Sequence, residues 1–458
     1  MNRIATRAFV VLVLVLLLVA GLVFFLGDYF TNSDDWFMFA GSPHLYSGNK
    51  VGTGTVVDAD GNLLLDQSGE RTYADDEQVR RSTLHWVGDR PGNIRANYVD
   101  HYSRQLMGYD PVNGIYSYGE TTGQIRLTIS SQVQNAALEA MGGRVGTIAV
   151  YNYKTGELIC AVTTPTFDPN DPPEIPVDEQ NSAYHGIYVN RFTQSKYIPG
   201  SIFKVVTLAI ALETIPGIQD RTFTCTGSYD IDNGDVTCED PHGTQTLKES
   251  FCNSCNCAFA QIVEQIGRDK LARYVDLFGV TDAITFDGIT TVTGNFDVEK
   301  ATGEQLAWSG IGQHTDQVNP CAFLTFVGAV ANDGVMVTPH VVKQISVGKA
   351  NTYEAEPGKG TRIMSSATAR ILMEYMGNNV QSKYGADNFP GLTVCAKSGT
   401  GEVGGGKKPN AMFTGFVADS EYPLAFIAVV EDGGYGTSVS MPIVSKVLAA
   451  CKTYMDDK

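Results

Sequence analysis

The hydrophobic pattern opens on a run from Ala8 to Gly27 without a charged side chain, followed by Asp28 and then by Asp34 and Asp35. A helix of that length, at about 1.5 Å per residue, just crosses a hydrocarbon layer of roughly 30 Å. Arg3 and Arg7 precede the run. Positive charge on that side predicts a cytoplasmic tail over 1–7, a single-pass transmembrane anchor over 8–27 and an extracytoplasmic remainder. A cleaved signal peptide is the competing reading, but the run exceeds the usual length of such a segment and no small-x-small site closes it.

Past the anchor the pattern loosens. Residues 28–125 are rich in Gly, Asp, Asn and Tyr, with short strand-like pieces at Thr55 to Val57 and Asn62 to Leu65 around an Asp60, Gly61 turn. This predicts a small β-rich module without catalytic machinery. From 126 to 458 the periodicity sharpens into a larger α/β domain. Ser131 with Gln134 predicts a capping box, and Val133, Ala137 and Met141 recur behind it at helical spacing. Two apolar runs, Val145 to Tyr151 and Glu157 to Thr163, flank a Lys154, Thr155, Gly156 turn and predict an antiparallel pair. Three further strands are expected at Leu392 to Lys397, Ala411 to Ala418 and Leu424 to Glu431, then a helix opened by Pro442 and carrying Val444, Leu448 and Cys451. Strands from both ends of the domain are expected to share one antiparallel sheet flanked by helices. Between them, 201 to about 385 reads as mostly helical, with Asn319 and Pro320 starting a buried helix that stops near Gly334.

Composition adds little to this frame but excludes one class of partner. The 458 residues are 43% hydrophobic and 18% charged, an ordinary globular balance with room for two or three domains. A net charge of −17 and the lack of any basic stripe argue against nucleic acid. Nine cysteines fit an extracytoplasmic location only loosely. Cys225 and Cys238 flank a turn at Asn233 and Gly234, which suits a local disulfide or, with His242, a zinc site whose spacing matches no standard ligand pattern. Cys252, Cys255 and Cys257 read as small buried thiols. Neither a metal nor a cofactor is expected.

The chemistry is carried by three short motifs in one order: Ser201, Ile202, Phe203, Lys204; Ser254, Cys255, Asn256; and Lys397, Ser398, Gly399, Thr400. Each alone is weak, since Ser47 to Lys50, Ser346 to Lys349 and Lys154 to Gly156 offer rival matches. Context favours the first set. Pro199 and Gly200 break the preceding chain, and Ser201 to Thr214 is almost free of polar side chains, which predicts a buried helix with the serine in its first turn. Residues three apart share a helix face, so the Ser201 hydroxyl and Lys204 amine can meet. Unpaired N–H groups of that turn suit a developing oxyanion. Ser201 is a poor nucleophile and needs a base; Lys204 serves only when neutral, and burial with a second cation, Lys397, would lower it from the ordinary ~10.4. Gly399 and Gly401 would let a substrate backbone approach the strand closely.

The order of these motifs, with Asn190, Arg191, Tyr197 to Ser201, Ala258, Phe259, Ile311 to Gln313, Ala331, Asn332 and Phe167 to Asn170, resembles the class B penicillin-binding protein transpeptidases over roughly residues 125 to 456. Upstream the likeness weakens: Asp58, Asp60 and Gly61 remain, but the arginines usual after the anchor are missing. The pedestal is also too short for a glycosyltransferase domain. The resemblance implies a penicillin-binding/serine β-lactamase-like fold, with Ser254 passing the proton to the leaving amine and Asn256 holding the donor amide. Ser398, Gly399 and Thr400 would bind the terminal carboxylate region, and the N–H groups of Ser201 and Thr400 would form the oxyanion hole. It further implies peptidoglycan stem peptides as substrates, β-lactams as acylating inhibitors and a membrane-embedded glycosyltransferase as partner. A carboxypeptidase or β-lactamase with the same serine is the alternative. A non-catalytic sensor or scaffold is a third reading, and the seven residues before the anchor leave no signalling part for a sensor.

Overall fold

The computed structural model describes residues 2–37, 54–68, 70–102, 105–106, 109–110, 114–115, 123–175, 183–232, 234–348 and 350–458. The rival motif at Ser47 to Lys50, the turn residue Asn233 and the end of the Ser346 to Lys349 match therefore lie outside the described residues. Helix α1 spans Asn2–Phe37. Among the described residues its Arg3–Asn32 part is the one stretch long and apolar enough to cross a membrane, with a mean hydropathy of 3.4 over its most apolar window and none of that window buried.

The upstream region supplies β1 (Thr55–Val57), β2 (Leu63–Asp66), β3 (Thr72–Tyr73), helix α2 (Glu77–Val87) and β4 (Gly123–Leu127). Asp76 caps α2 by accepting from the N–H groups of Gln78 and Val79. Helix α3 (Ser131–Met141) follows. Its cap is Ser130, not the capping box expected of Ser131 and Gln134. The physical reason is competition. The Ser131 hydroxyl donates to the buried Asp58 carboxylate at 2.6 Å, and Gln134 bridges Ser82 and the N–H of Ala161, tying α2, α3 and the central sheet together. Arg80 of α2 adds a two-pronged pair to Asp168, Nε to Oδ1 at 2.8 Å and Nη2 to Oδ2 at 2.6 Å.

Strands β5 (Gly146–Asn152) and β6 (Leu158–Thr164) precede helix α4 (Lys204–Thr214). Four short strands come next, β7 (Thr222–Cys225), β8 (Ser228–Ile231), β9 (Gly234–Thr237) and β10 (Gly243–Thr246); β8 and β9 form the hairpin expected between Cys225 and Cys238, whereas β7 and β10 stand in a stretch read as mostly helical. Helices α5 (Leu247–Cys252), α6 (Asn256–Ile266), α7 (Gly303–Ile311) and α8 (Pro320–Ala331) belong to the helical part, with a further helix over Arg268–Leu277. Then β11 (Val342–Val347) and β12 (Ala350–Glu354) pair with each other and return to the upstream region, giving a six-stranded sheet ordered β12-β11-β4-β1-β2-β3. Helix α9 (Ser366–Asn379) precedes β13 (Val394–Gly401), β14 (Asn410–Val417) and β15 (Leu424–Val430), and α10 (Ser440–Asp456) ends the chain.

The central sheet is antiparallel throughout, in the order β13-β14-β15-β5-β6. Side chains alternate between its faces. Ile148, Val150, Phe413 and Phe426 pack with Val133 of α3 and Val444 and Leu448 of α10, whereas Ala149, Tyr151, Met412 and Ile427 face Phe323 and Phe326 of α8. Burial on both faces explains why these strands read as continuous apolar runs. Helix α8 lies close because Gly328 faces the ring of Tyr151; a Cβ there would sit 1.8 Å from the tyrosine oxygen. Edge strand β13 thereby comes to lie beside the start of α4.

Candidate active site

One turn of 3-10 helix, Gly200–Phe203, feeds α4. It leaves Ser201 partly exposed at the mouth and puts Lys204, first residue of the α-helix, fully out of solvent. The Lys204 Nζ is 3.0 Å from Ser201 Oγ, as three-residue spacing requires. The second motif sits in the tight link between α5 and α6. Ser254 holds a left-handed backbone, φ +55°, while its N–H bonds Phe251 O at 3.1 Å and the next N–H bonds Ser250 O at 3.0 Å. A non-glycine residue pays roughly 1–2 kcal/mol for that conformation. The turn aims both oxygens of Ser254 at the lysine: Lys204 Nζ lies 2.6 Å from Ser254 O, 3.2 Å from Ser254 Oγ and 2.7 Å from Asn256 Oδ1.

Lys397 enters from β13, also fully buried, and donates to Ser254 Oγ at 3.0 Å and to Ser398 O at 2.9 Å. Five of the residues singled out in the sequence, Ser201, Lys204, Ser254, Asn256 and Lys397, thus form one hydrogen-bonded cluster. Ser398 and Thr400 are partly exposed on the same strand. The glycines between and beside them act differently from expectation. A Cβ on Gly399 would meet Pro199 O at 2.9 Å, and one on Gly401 would meet Ile198 O at 2.2 Å. These glycines admit the segment ahead of Ser201, a contact within the protein. Gly200 completes the fit, with φ +54° and a would-be Cβ 2.1 Å from Thr400 O, so the serine turn and Thr400 touch backbone to backbone.

Electrostatics follow from burial. Desolvation pushes Lys204 down to about 8, against an upward pull from the thiols of Cys238 and Cys255. Lys397 is held well below the usual lysine range, first by burial and second by the charge of Lys204. The two buried charges disfavour each other, so both lysines are lowered and titrate as a pair. Aromatic rings form the apolar floor, with Phe259 centred 5.6 Å from Lys204 Nζ and Phe251 5.9 Å from Lys397 Nζ. A neutral amine keeps two N–H bonds and one lone pair. Ser254 O and Asn256 Oδ1 accept only, so they take both N–H groups, and the lone pair is left facing hydroxyl hydrogens, that of Ser201 included.

Two supporting residues carried no assigned role in the sequence. Tyr384, at the end of a π-helical turn over 380–384, accepts the N–H of Ser398 at 3.0 Å and lies 3.0 Å from its hydroxyl. Gln313 Nε2 donates to Thr400 O at 3.1 Å. No local pattern announces a π-turn, whereas Gln313 belongs to the Ile311 to Gln313 segment of the family resemblance, which by itself implies no role for it. Arg191 and Tyr197 both reach Glu431 Oε1 at 2.8 Å, anchoring the approach to Ser201 on the end of β15. Of the rival matches, Ser346 pairs with Gln124 and Asn351 inside the six-stranded sheet, and Lys154 to Gly156 form the β5–β6 turn.

The thiols require a correction. Cys225 and Cys238 are not bonded to each other, and all nine cysteines are free. Cys255, read as a filler thiol, joins Cys225, Cys238 and His242 in a group whose donor atoms all lie within 4.8 Å of one another. Cys252 and Cys257 stand outside it. Sequence spacing concealed the group because its fourth member lies inside the Ser254, Cys255, Asn256 motif.

A serine at a helix mouth served by two buried lysines and an asparagine, on the edge of an antiparallel sheet, is the arrangement of a penicillin-binding transpeptidase domain. The family model for the penicillin binding protein transpeptidase domain matches residues 146–449, and the chain belongs to that family, as a class B member. It is 28% identical to the peptidoglycan D,D-transpeptidase PbpA of Mycolicibacterium smegmatis over 362 residues, 72% of each chain. It is likewise 28% identical to stage V sporulation protein D of Bacillus subtilis over 402 residues, covering 83% of this chain and 59% of that one. Among solved structures, the D,D-transpeptidase domain of a peptidoglycan glycosyltransferase from Eggerthella lenta aligns with TM-score 0.76 at 25% identity, over 89% of this chain and 99% of that one. Penicillin-binding protein A of M. tuberculosis, solved as a ceftriaxone acyl-enzyme complex, shares the fold with TM-score 0.75 at 22% identity over the same shares.

Proposed function

We propose that this protein is a peptidoglycan D,D-transpeptidase that crosslinks stem peptides through an acyl-enzyme on Ser201 and is a target of β-lactams. The observation that carries this reading is the Lys204 amine, buried and hydrogen-bonded at once to Ser201, Ser254 and Asn256. Neutral Lys204 takes the Ser201 proton as Oγ attacks the carbonyl of the penultimate D-alanine. The N–H groups of Ser201 and Thr400 receive the oxyanion, a contribution of about 100-fold or more in such sites. Ser254, held by Lys397, passes the proton to the leaving amine, and D-alanine departs. Asn256 holds the donor amide, and Ser398 with Thr400 binds the terminal carboxylate. An amine of a neighbouring strand then attacks the acyl-enzyme, a new amide forms, and Ser201 recovers its proton.

In this reading α1 anchors the chain in the cell membrane with the catalytic domain outside, beside a membrane-embedded glycosyltransferase that makes the glycan strands. The test is mass spectrometry of the intact protein after penicillin. One stable adduct on Ser201, absent from Ser201→Ala, is expected. Rapid nitrocefin turnover would replace the transpeptidase by a β-lactamase, and release of D-alanine without crosslinks would replace it by a carboxypeptidase.

A further inference from the structure

We propose that Cys225, Cys238, His242 and Cys255 bind one zinc ion, and that this ion clasps the Ser254, Cys255, Asn256 turn into its working position. The clasping role rests on the acyl-transfer reading above; the metal site does not. Zinc in a closed tetrahedral shell has Zn–S near ~2.3 Å and Zn–N near ~2.0–2.1 Å, which makes the edges of the tetrahedron about 3.8 Å between sulfurs and about 3.6 Å from sulfur to nitrogen. The Cys238 and Cys255 sulfurs are 3.8 Å apart, and His242 Nδ1 lies 3.6 Å from the sulfurs of both Cys225 and Cys238. Three thiols and an imidazole in that shape suit a borderline-soft tetrahedral ion and leave no open position, the mark of a structural site.

The surroundings are built for thiolates. The N–H of Asn256 donates to Cys238 Sγ at 3.3 Å, and the N–H of Ala258 donates to Cys255 Sγ at 3.4 Å. Cys255 caps α6, where the unpaired N–H groups favour negative charge. Binding replaces three S–H bonds with three Zn–S bonds, releases three protons and leaves a centre of net charge −1. The ligands come from separate pieces of chain: Cys225 ends β7, Cys238 follows β9, His242 precedes β10 and Cys255 opens α6. An ion at their centre therefore joins two hairpins to the catalytic turn. Because Cys255 lies between Ser254 and Asn256, fixing its sulfur fixes the backbone of both, and Asn256 is further tied by its Nδ2 to Thr237 O at 2.8 Å.

The experiment uses the full chain purified in detergent without chelators or a metal-affinity tag. Elemental analysis is expected to give one zinc per chain, and X-ray absorption a shell of three sulfurs and one nitrogen. His242→Ala, a partly exposed position, and Cys255→Ser should each retain under about one-tenth of the zinc and label with fluorescent penicillin roughly 10–100-fold more slowly. Cys252→Ser should keep both properties. Ser201→Ala should keep its zinc while losing the label, which separates failure of this proposal from failure of the acyl-transfer reading. No zinc bound after equilibration with zinc chloride and reductant, or a disulfide between any two of the three cysteines in freshly isolated protein, would overturn the site. Zinc loss in a folded His242→Ala protein with an unchanged labelling rate would overturn the clasp.

Discussion

The most direct test of Lys204 as base is the pH profile of acylation. The perturbation is proton concentration alone, and the structure sets its magnitude. With burial holding Lys204 at about 8, the neutral fraction is roughly one-tenth at pH 7 and roughly nine-tenths at pH 9, and the base is the neutral form. The second-order rate of fluorescent-penicillin labelling should therefore rise about tenfold over that interval and level off. An unperturbed lysine, near ~10.4, would instead give a rate still climbing about tenfold per pH unit at pH 9. Lys204 and Lys397 share Ser254, so the inflection belongs to the pair. Lys204→Arg keeps a cation at that site at every accessible pH and should lose about 10²–10⁴-fold in rate. A profile flat from pH 7 to 9, or a Lys204→Arg protein labelling within a few-fold of the parent, would refute the assignment.

Three further outcomes are expected. Tyr384→Phe removes the oxygen that accepts the Ser398 N–H; leaving that donor unpaired costs about 1–3 kcal/mol, read as a lowered Tm, and should weaken donor-peptide binding more than it slows acylation at saturation. Gly328→Ala drives a methyl into Tyr151 and should cost about 1–3 kcal/mol or more by calorimetry, whereas Tyr151→Phe, deleting a buried hydroxyl that lacks a partner among the described residues, should be neutral or stabilising.

What the sequence reveals and conceals divides by the range of the interaction. The apolar runs of β5, β6, β14 and β15 are legible because both faces of each strand are buried, and the Ser201 helix is legible because Val205 to Leu212 is apolar apart from Thr207. Strands β11 and β12 escape that reading. The pairing of β11 with β4 joins residues more than two hundred positions apart, no local periodicity encodes a partner that distant, and β12 is placed only through β11. Ser131 illustrates a second kind of concealment: a serine three residues ahead of a glutamine fits a capping box until a buried carboxylate elsewhere, Asp58, claims its hydroxyl. At the site, side chains whose roles are local in sequence were readable, as for Ser201 and Lys204. Those whose partners converge from several loops, such as Cys255 and Tyr384, were not.

The left-handed backbone at Ser254 ties local strain to chemistry and can be separated from the hydroxyl it carries. In a right-handed conformation the carbonyl would turn away from Lys204, which now donates to it at 2.6 Å, and the amine would lose one of the two acceptors that point its lone pair outward. Ser254→Gly keeps φ near +55° without steric cost but removes the hydroxyl, so the protein should be as stable as the parent while proton delivery to the leaving amine fails. Ser254→Thr keeps a hydroxyl but adds a β-branch, which resists positive φ; it should lower Tm and displace the carbonyl. Acylation by a β-lactam and transpeptidation of a stem peptide, measured side by side, distinguish the two losses. If Ser254→Thr matched the parent in Tm and in both rates, the turn geometry would have no part in aiming the base.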